Sequence, residues 1–145
     1  MLRNFLEIGD LTETDLDTLL DLAADLKSRP HSRHGLLADE IVGCYFSKPS
    51  TRTRVSLAVA IRRLGGIPET LGPSDMQLGR GETIEDTARV LSSYLRAFTI
   101  RTFAHDDIVR FASAASIPSS RAAYARPDAL ETPTGARSSQ AVQPM

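Results

Sequence analysis

The 145-residue sequence has no tryptophan, one cysteine, three histidines and no apolar stretch near the ~20 residues of a membrane-spanning helix. Each scarcity excludes something. A single cysteine cannot close an internal disulfide, and the place of Cys44 within an apolar run makes it a core residue. His31, His34 and His105 have no carboxylate, cysteine or partner histidine at metal-ligand spacing, so no zinc site is expected. The opening residues Met1 to Glu7 lack the long apolar core of a secretory signal, which makes the expected location cytoplasmic, with no membrane partner. Seventeen Lys and Arg against eighteen Asp and Glu leave a formal charge of −1, and aromatic residues make up 6%. That balance argues against nucleic acid and leaves room only for local anion recognition, such as a small phosphorylated ligand.

What is present is an alternation of two periodicities in a globular balance of 41% hydrophobic and 24% charged residues. Thr12 begins a Thr-Glu-Thr-Asp run followed by Leu16, Leu19, Leu20, Ala23 and Leu26, which predicts an N-capped amphipathic helix ended by Pro30. Ile41 to Phe46 reads as a strand covered on both faces; Val55, Leu57, Ala58, Ile61 and Leu64 then recur at helical spacing up to Gly65-Gly66. Ile67 to Leu71 predicts a short strand, Gly72 to Gly81 a loop, and Thr83 caps a helix through Ala88, Leu91 and Leu95. Ala97 to Arg101 predicts a further strand and His105 to Ala115 a further helix, with Asp106 and Asp107 favouring its start. Short connections between alternating strands and helices imply an α/β fold, a three-layer parallel sheet flanked by helices. Binding sites in such sheets lie beyond the carboxyl ends of the strands.

One junction stands out on chemical grounds. Phe46-Ser47-Lys48-Pro49-Ser50-Thr51-Arg52-Thr53-Arg54 sits where a strand hands over to a helix, where open backbone N–H groups and the positive dipole end point outward. With Ser50 as cap, its hydroxyl and the amides of Thr51, Arg52 and Thr53 converge on one small volume, and a guanidinium completes a phosphate seat. Positive charge at that pole is unfavourable by ~0.3–1 kcal/mol, so Arg52 and Arg54 call for a compensating anion or carboxylate. The plainer reading makes both solvated residues of a first turn. Read alone, Arg101 is an ordinary strand-end arginine and Gln77 a plain polar loop residue.

The run from Phe46 to Arg54, then Leu71-Gly72-Pro73-Ser74, Gln77-Leu78-Gly79, Glu82 to Leu91 and Ile100-Arg101, resembles in order and spacing the amino-terminal, carbamoyl-phosphate-binding domain of ornithine carbamoyltransferases. Ser-Thr-Arg-Thr-Arg is shared with aspartate carbamoyltransferases, whereas Lys48-Pro49 and Gln77 look more like the ornithine enzymes. The resemblance implies that carbamoyl phosphate is held by Ser50, Thr51, Arg52 and Thr53. It also implies that Arg101 is catalytic, touching both the phosphate and the carbamoyl oxygen, and that Gln77 reaches the active site of a neighbouring subunit in a trimer. Arg54 is more often a structural ion-pair partner in such enzymes.

The resemblance covers residues 1–117, the expected carbamoyl-phosphate-binding domain. Residues 118–145 hold Pro118, Pro127, Pro133 and Pro144 but no phenylalanine or isoleucine, and read as a disordered tail without family counterpart. A shifted reading frame in a gene rich in G and C gives such a switch. The sheet's next strand, a His-Pro-Cys-Gln-like element and an ornithine-binding domain are not recognisable, so an unpaired sheet edge and inactivity of the chain alone are expected. Two functions follow: a carbamoyltransferase chain holding the carbamoyl phosphate half-site, or a non-catalytic module or gene remnant. The second would join a homotrimer or a mixed trimer with a full-length relative.

Overall fold

The computed structural model describes residues 4–78 and 81–122. Helix α1, Glu13–Ser28, starts at Thr12, whose side chain accepts the Asp15 N–H while the Asp15 carboxylate accepts the Thr12 N–H. Strand β1, Ile41–Phe46, leads into α2, Thr51–Arg63, and Gly65 at φ +90° turns the chain out of that helix. Strand β2 is Ile67–Leu71, α3 is Ile84–Ser92, β3 is Ala97–Arg101, α4 is His105–Ala114 and β4 is Ser119–Arg121. The four strands are parallel in the order β2-β1-β3-β4. Among the described residues, no helix is long and apolar enough to cross a membrane.

Alternation along the strands sorts side chains into two cores. Val42, Cys44 and Phe46 of β1 pack with Ile61 of α2, while Phe98 and Ile100 of β3 pack with Ala88 of α3 and Ile108 and Phe111 of α4. Helices therefore cover both faces of the sheet, as the strand–helix alternation implies. Phe98 and Phe111 stack with centroids 4.5 Å apart. Register places Gly43 opposite Phe98, and a Cβ at Gly43 would lie 2.4 Å from the Phe98 ring. Glycine there lets an aromatic ring lie across the middle of the sheet. Burial raises the pKa of the Cys44 thiol, in keeping with a core role.

Three expectations are corrected. The boundary at 117/118 falls too early, because Ser119–Arg121 pair with Phe98–Ile100 as β4, with Ser119 buried; residues 123–145 of the expected tail lie outside the described residues. Nor is that edge left open. The Phe5 N–H donates to the Ser119 carbonyl at 3.0 Å and the Arg121 N–H to the Phe5 carbonyl at 2.9 Å. The Asp10 carboxylate fixes this amino-terminal segment by accepting the Leu6 and Glu7 N–H groups, which lower its pKa. The opposite edge strand, β2, carries Pro68, which has no N–H to offer a further strand. Lastly, α3 ends at Ser92 and Leu95 packs into the core from the following turn.

Candidate functional site

The carboxyl ends of β1 and β3 meet through one carbonyl. Phe46 and Arg101 are register partners, and beyond them the Ser47 N–H and Oγ–H both donate to the Arg101 carbonyl, at 2.9 and 3.1 Å. This double contact brings the β1–α2 loop against the end of β3. The half-buried Arg101 side chain then spans the mouth of α2, where its Nη1 donates to Ser50 Oγ and, at 2.8 Å, to Thr53 Oγ1.

Ser50 does occupy the N-cap position, but its hydroxyl makes no capping bond to the α2 backbone. It accepts from Arg101 instead. A hydroxyl that accepts from a guanidinium keeps its own proton to give elsewhere, and is polarised towards giving it. The first α-helical bond of α2 runs from the Arg54 N–H to the Ser50 carbonyl at 3.0 Å, so the amides of Thr51, Arg52 and Thr53 precede the hydrogen-bonded ladder. The first turn of α2 has no acidic residue. Two polarised hydroxyls, a guanidinium and three leading amides are therefore gathered at the mouth of a helix whose first turn carries no acid.

An open cleft of about 550 Å³ adjoins this mouth, lined by Lys48, Ser50, Thr51, Arg54, Val55 and Pro73 among others. Ser50, Thr53 and Arg101 are brought together, and Thr51 joins Ser50 in the cleft wall. Arg52 is exposed, is not part of that wall and enters none of the ion pairs among the described residues. Arg54 has no ion pair there either; its guanidinium carbon lies 5.2 Å from the centre of the buried Phe46 ring. Val55, read as part of the buried face of α2, is 57% exposed. Gln77 is exposed on the β2–α3 loop beside buried Met76, outside the cleft. Lys48 was read from the sequence only as a mark of the ornithine enzymes and not as part of the site, and the exposed Phe103, whose ring lies under the Lys48 ammonium, gave no signal. Among the described residues, no three His, Cys, Asp or Glu side chains cluster as a metal site would require.

Residues 3–124 match the family model for the aspartate/ornithine carbamoyltransferase carbamoyl-P binding domain. Over 118 residues the chain is 50% identical to the ornithine carbamoyltransferase of Acidothermus cellulolyticus, covering 81% of this chain and 38% of that protein. It is 47% identical to the catabolic ornithine carbamoyltransferase of Thermoplasma volcanium over 116 residues, 80% of this chain and 38% of the relative. The fold superposes on ornithine carbamoyltransferase from Pyrococcus furiosus with a TM-score of 0.77 and 41% identity, over 82% of this chain and 39% of that one. For the mitochondrial enzyme of Coccidioides immitis the TM-score is 0.77 and the identity 36%, over 85% and 40%. The chain thus spans about two fifths of the length of the relatives it matches.

Proposed function

The chain belongs to the aspartate/ornithine carbamoyltransferase family, and we propose that it holds carbamoyl phosphate at the mouth of α2 as the first half of an ornithine carbamoyltransferase site. The observation that carries this reading is the Arg101 guanidinium held by Ser50 and Thr53 across the leading amides of α2. Phosphate oxygens take the N–H groups of Thr51, Arg52 and Thr53 and the hydroxyl protons of Ser50 and Thr53. Arg101 reaches towards both the phosphate and the carbamoyl oxygen, and exposed Arg52 closes over the dianion from solvent.

These positions suit the chemistry of carbamoyl transfer, which here belongs to arginine and ornithine metabolism in the cytoplasm. When the ornithine amine attacks the carbamoyl carbon, negative charge grows on the carbonyl oxygen and on the departing phosphate, and cations and donors already in place stabilise both. The reaction as proposed needs no metal or organic cofactor. These residues contribute nothing recognisable to hold the amine, and alignment of two reactants accounts for ~7–11 kcal/mol of such barriers. The 145-residue polypeptide alone is therefore expected to bind carbamoyl phosphate and to make no measurable citrulline.

Calorimetric titration with carbamoyl phosphate, repeated with Arg52→Ala, tests the reading. Saturable one-to-one binding that the variant loses by roughly 2–5 kcal/mol supports it, and the absence of binding to the unaltered chain refutes it. A second reading rests on the exposure of Gln77 on a loop anchored by Met76. In that role the loop reaches a neighbouring subunit's site, in a homotrimer or in a mixed trimer with a full-length relative. Co-purification with such a relative, without anion binding by this chain alone, would favour it.

A further inference from the structure

The cleft beside the mouth of α2 is larger and more apolar than an inorganic anion requires. Its volume of about 550 Å³ falls among sites that hold whole organic ligands, roughly 300–1,000 Å³. A phosphate at the Ser50 and Thr51 corner fills only one end of it. From Thr51 the wall continues along α2 to exposed Val55, its i,i+4 neighbour, and Pro49 and Pro73 join it from two different loops. We infer that this wall is an apolar subsite next to the phosphate seat, and that the site takes phosphate monoesters and acyl phosphates carrying a compact apolar group. This rests on the phosphate-seat reading above.

Charge, rigidity and continuity favour an organic phosphate as the occupant. Among the described residues none that lines the cleft is acidic, and Arg54 stands in its wall, so an anion is matched along the cleft as well as at the seat. The apolar groups are in place before a ligand arrives. Val55 sits on a helix, where valine has one strongly preferred rotamer, and the rings of Pro49 and Pro73 have no rotamer freedom to lose. The turn that carries Pro73 is closed by two bonds: the Gly72 N–H donates to the Asp75 carboxylate at 2.7 Å, and the Asp75 N–H to the Gly72 carbonyl at 3.1 Å. Seat and subsite also share the first turns of α2, so one ligand spans both. The donors of the seat engage terminal phosphate oxygens, which leaves the ester or acyl oxygen, and the group bonded to it, on the cleft side.

The test uses the full 145-residue chain and two probes, inorganic phosphate and phenyl phosphate, read by calorimetric titration and by NMR of the Val55 methyl groups. Phenyl phosphate is expected to bind about three- to ten-fold more tightly than inorganic phosphate, from the apolar area that its ring buries. Its ring current should move the Val55 methyl signals well beyond any shift that inorganic phosphate causes. Val55→Thr, which keeps the shape of the side chain and adds a hydroxyl, should bring the ratio of the two affinities below about two-fold. Equal affinities for the two probes, methyl signals that phenyl phosphate does not move, or a ratio that Val55→Thr leaves unchanged overturns the inference while the seat stands. Val55 signals that broaden with rising protein concentration and do not respond to phenyl phosphate would assign the wall to a contact between copies of the chain, and overturn it as well. Failure of the unaltered chain to bind either probe refutes the seat and the inference together.

Discussion

α4 and α1 both carry a helical apolar stripe, but 10-residue α4 buries Ile108, Phe111 and Ala112, whereas 16-residue α1 fully buries nothing and leaves Leu19 and Leu20 42% and 60% exposed. The stripe of α4 meets Phe98 and Ile100 of β3 and Ala88 of α3. Leu16, Leu22 and Leu26 are the only apolar residues of α1 that are even half-buried. Period and cap specify that a helix forms and which side is apolar; they do not specify that anything of matching shape lies opposite.

The widest separation between the two regions should come from truncating side chains. Phe98→Ala removes a 1% exposed ring stacked on Phe111 and is expected to cost ~3–5 kcal/mol in urea unfolding, against less than ~0.5 kcal/mol for Leu20→Ala. Comparable losses would break the contrast. Next comes Gly43→Ala, whose new methyl would meet Phe98 at 2.4 Å and Leu95 at 2.7 Å. Overpacking of about 1–3 kcal/mol is expected, and Phe98→Leu in the same chain should recover part of it by making room.

The caps sharpen the comparison further. Thr83 and Thr12 accept the Asp86 and Asp15 N–H groups at 3.1 and 3.2 Å, so each change to alanine removes a similar bond worth ~1 kcal/mol. In α3, packed on the core, the loss should appear in global unfolding. In α1 it should appear as faster amide exchange confined to that helix. The smallest effect concerns the two-pronged contact of Arg110 in α4 with Glu85 in α3, at 2.7 and 2.9 Å, which lowers the Glu85 pKa. A depressed carboxylate supports the fold above its unfolded pKa and loses that support as pH falls through the lowered folded value. Glu85→Gln should therefore lower Tm slightly at pH 7, with the difference from the unaltered chain vanishing towards pH 3. A difference that persists in acid would mean that packing, not charge, joins these helices.

The residues differ in how much of this they announced. Ile41 to Phe46 and Ala97 to Arg101 were legible as strands because apolar runs bounded by turns and helices have few other uses. β4 was not, since Ser119, Ser120 and Arg121 are polar and become a strand only because Phe98, Ile100 and Phe5 supply backbone partners. The helical spacing from Ala88 to Leu95 hid the end of α3 at Ser92, because a turn can deliver Leu95 to the same core. At the site, the hydroxyl and arginine run announced an anion seat. That Ser50 would serve Arg101 rather than the helix backbone was not announced, and neither was the meeting of Lys48 with Phe103.

By itself, the sequence determined the alternation of strands and helices, the two-sided burial of β1 and the donor-rich first turn of α2, because these depend on period, propensity and chemical type within a few residues. Tertiary structure decided which edge β4 and Phe5 would close, which helix would be buried and which hydroxyls Arg101 would reach. Ser50 and Arg101 stand 51 positions apart, and only the parallel register that sets Phe46 beside Arg101 brings them within a hydrogen bond.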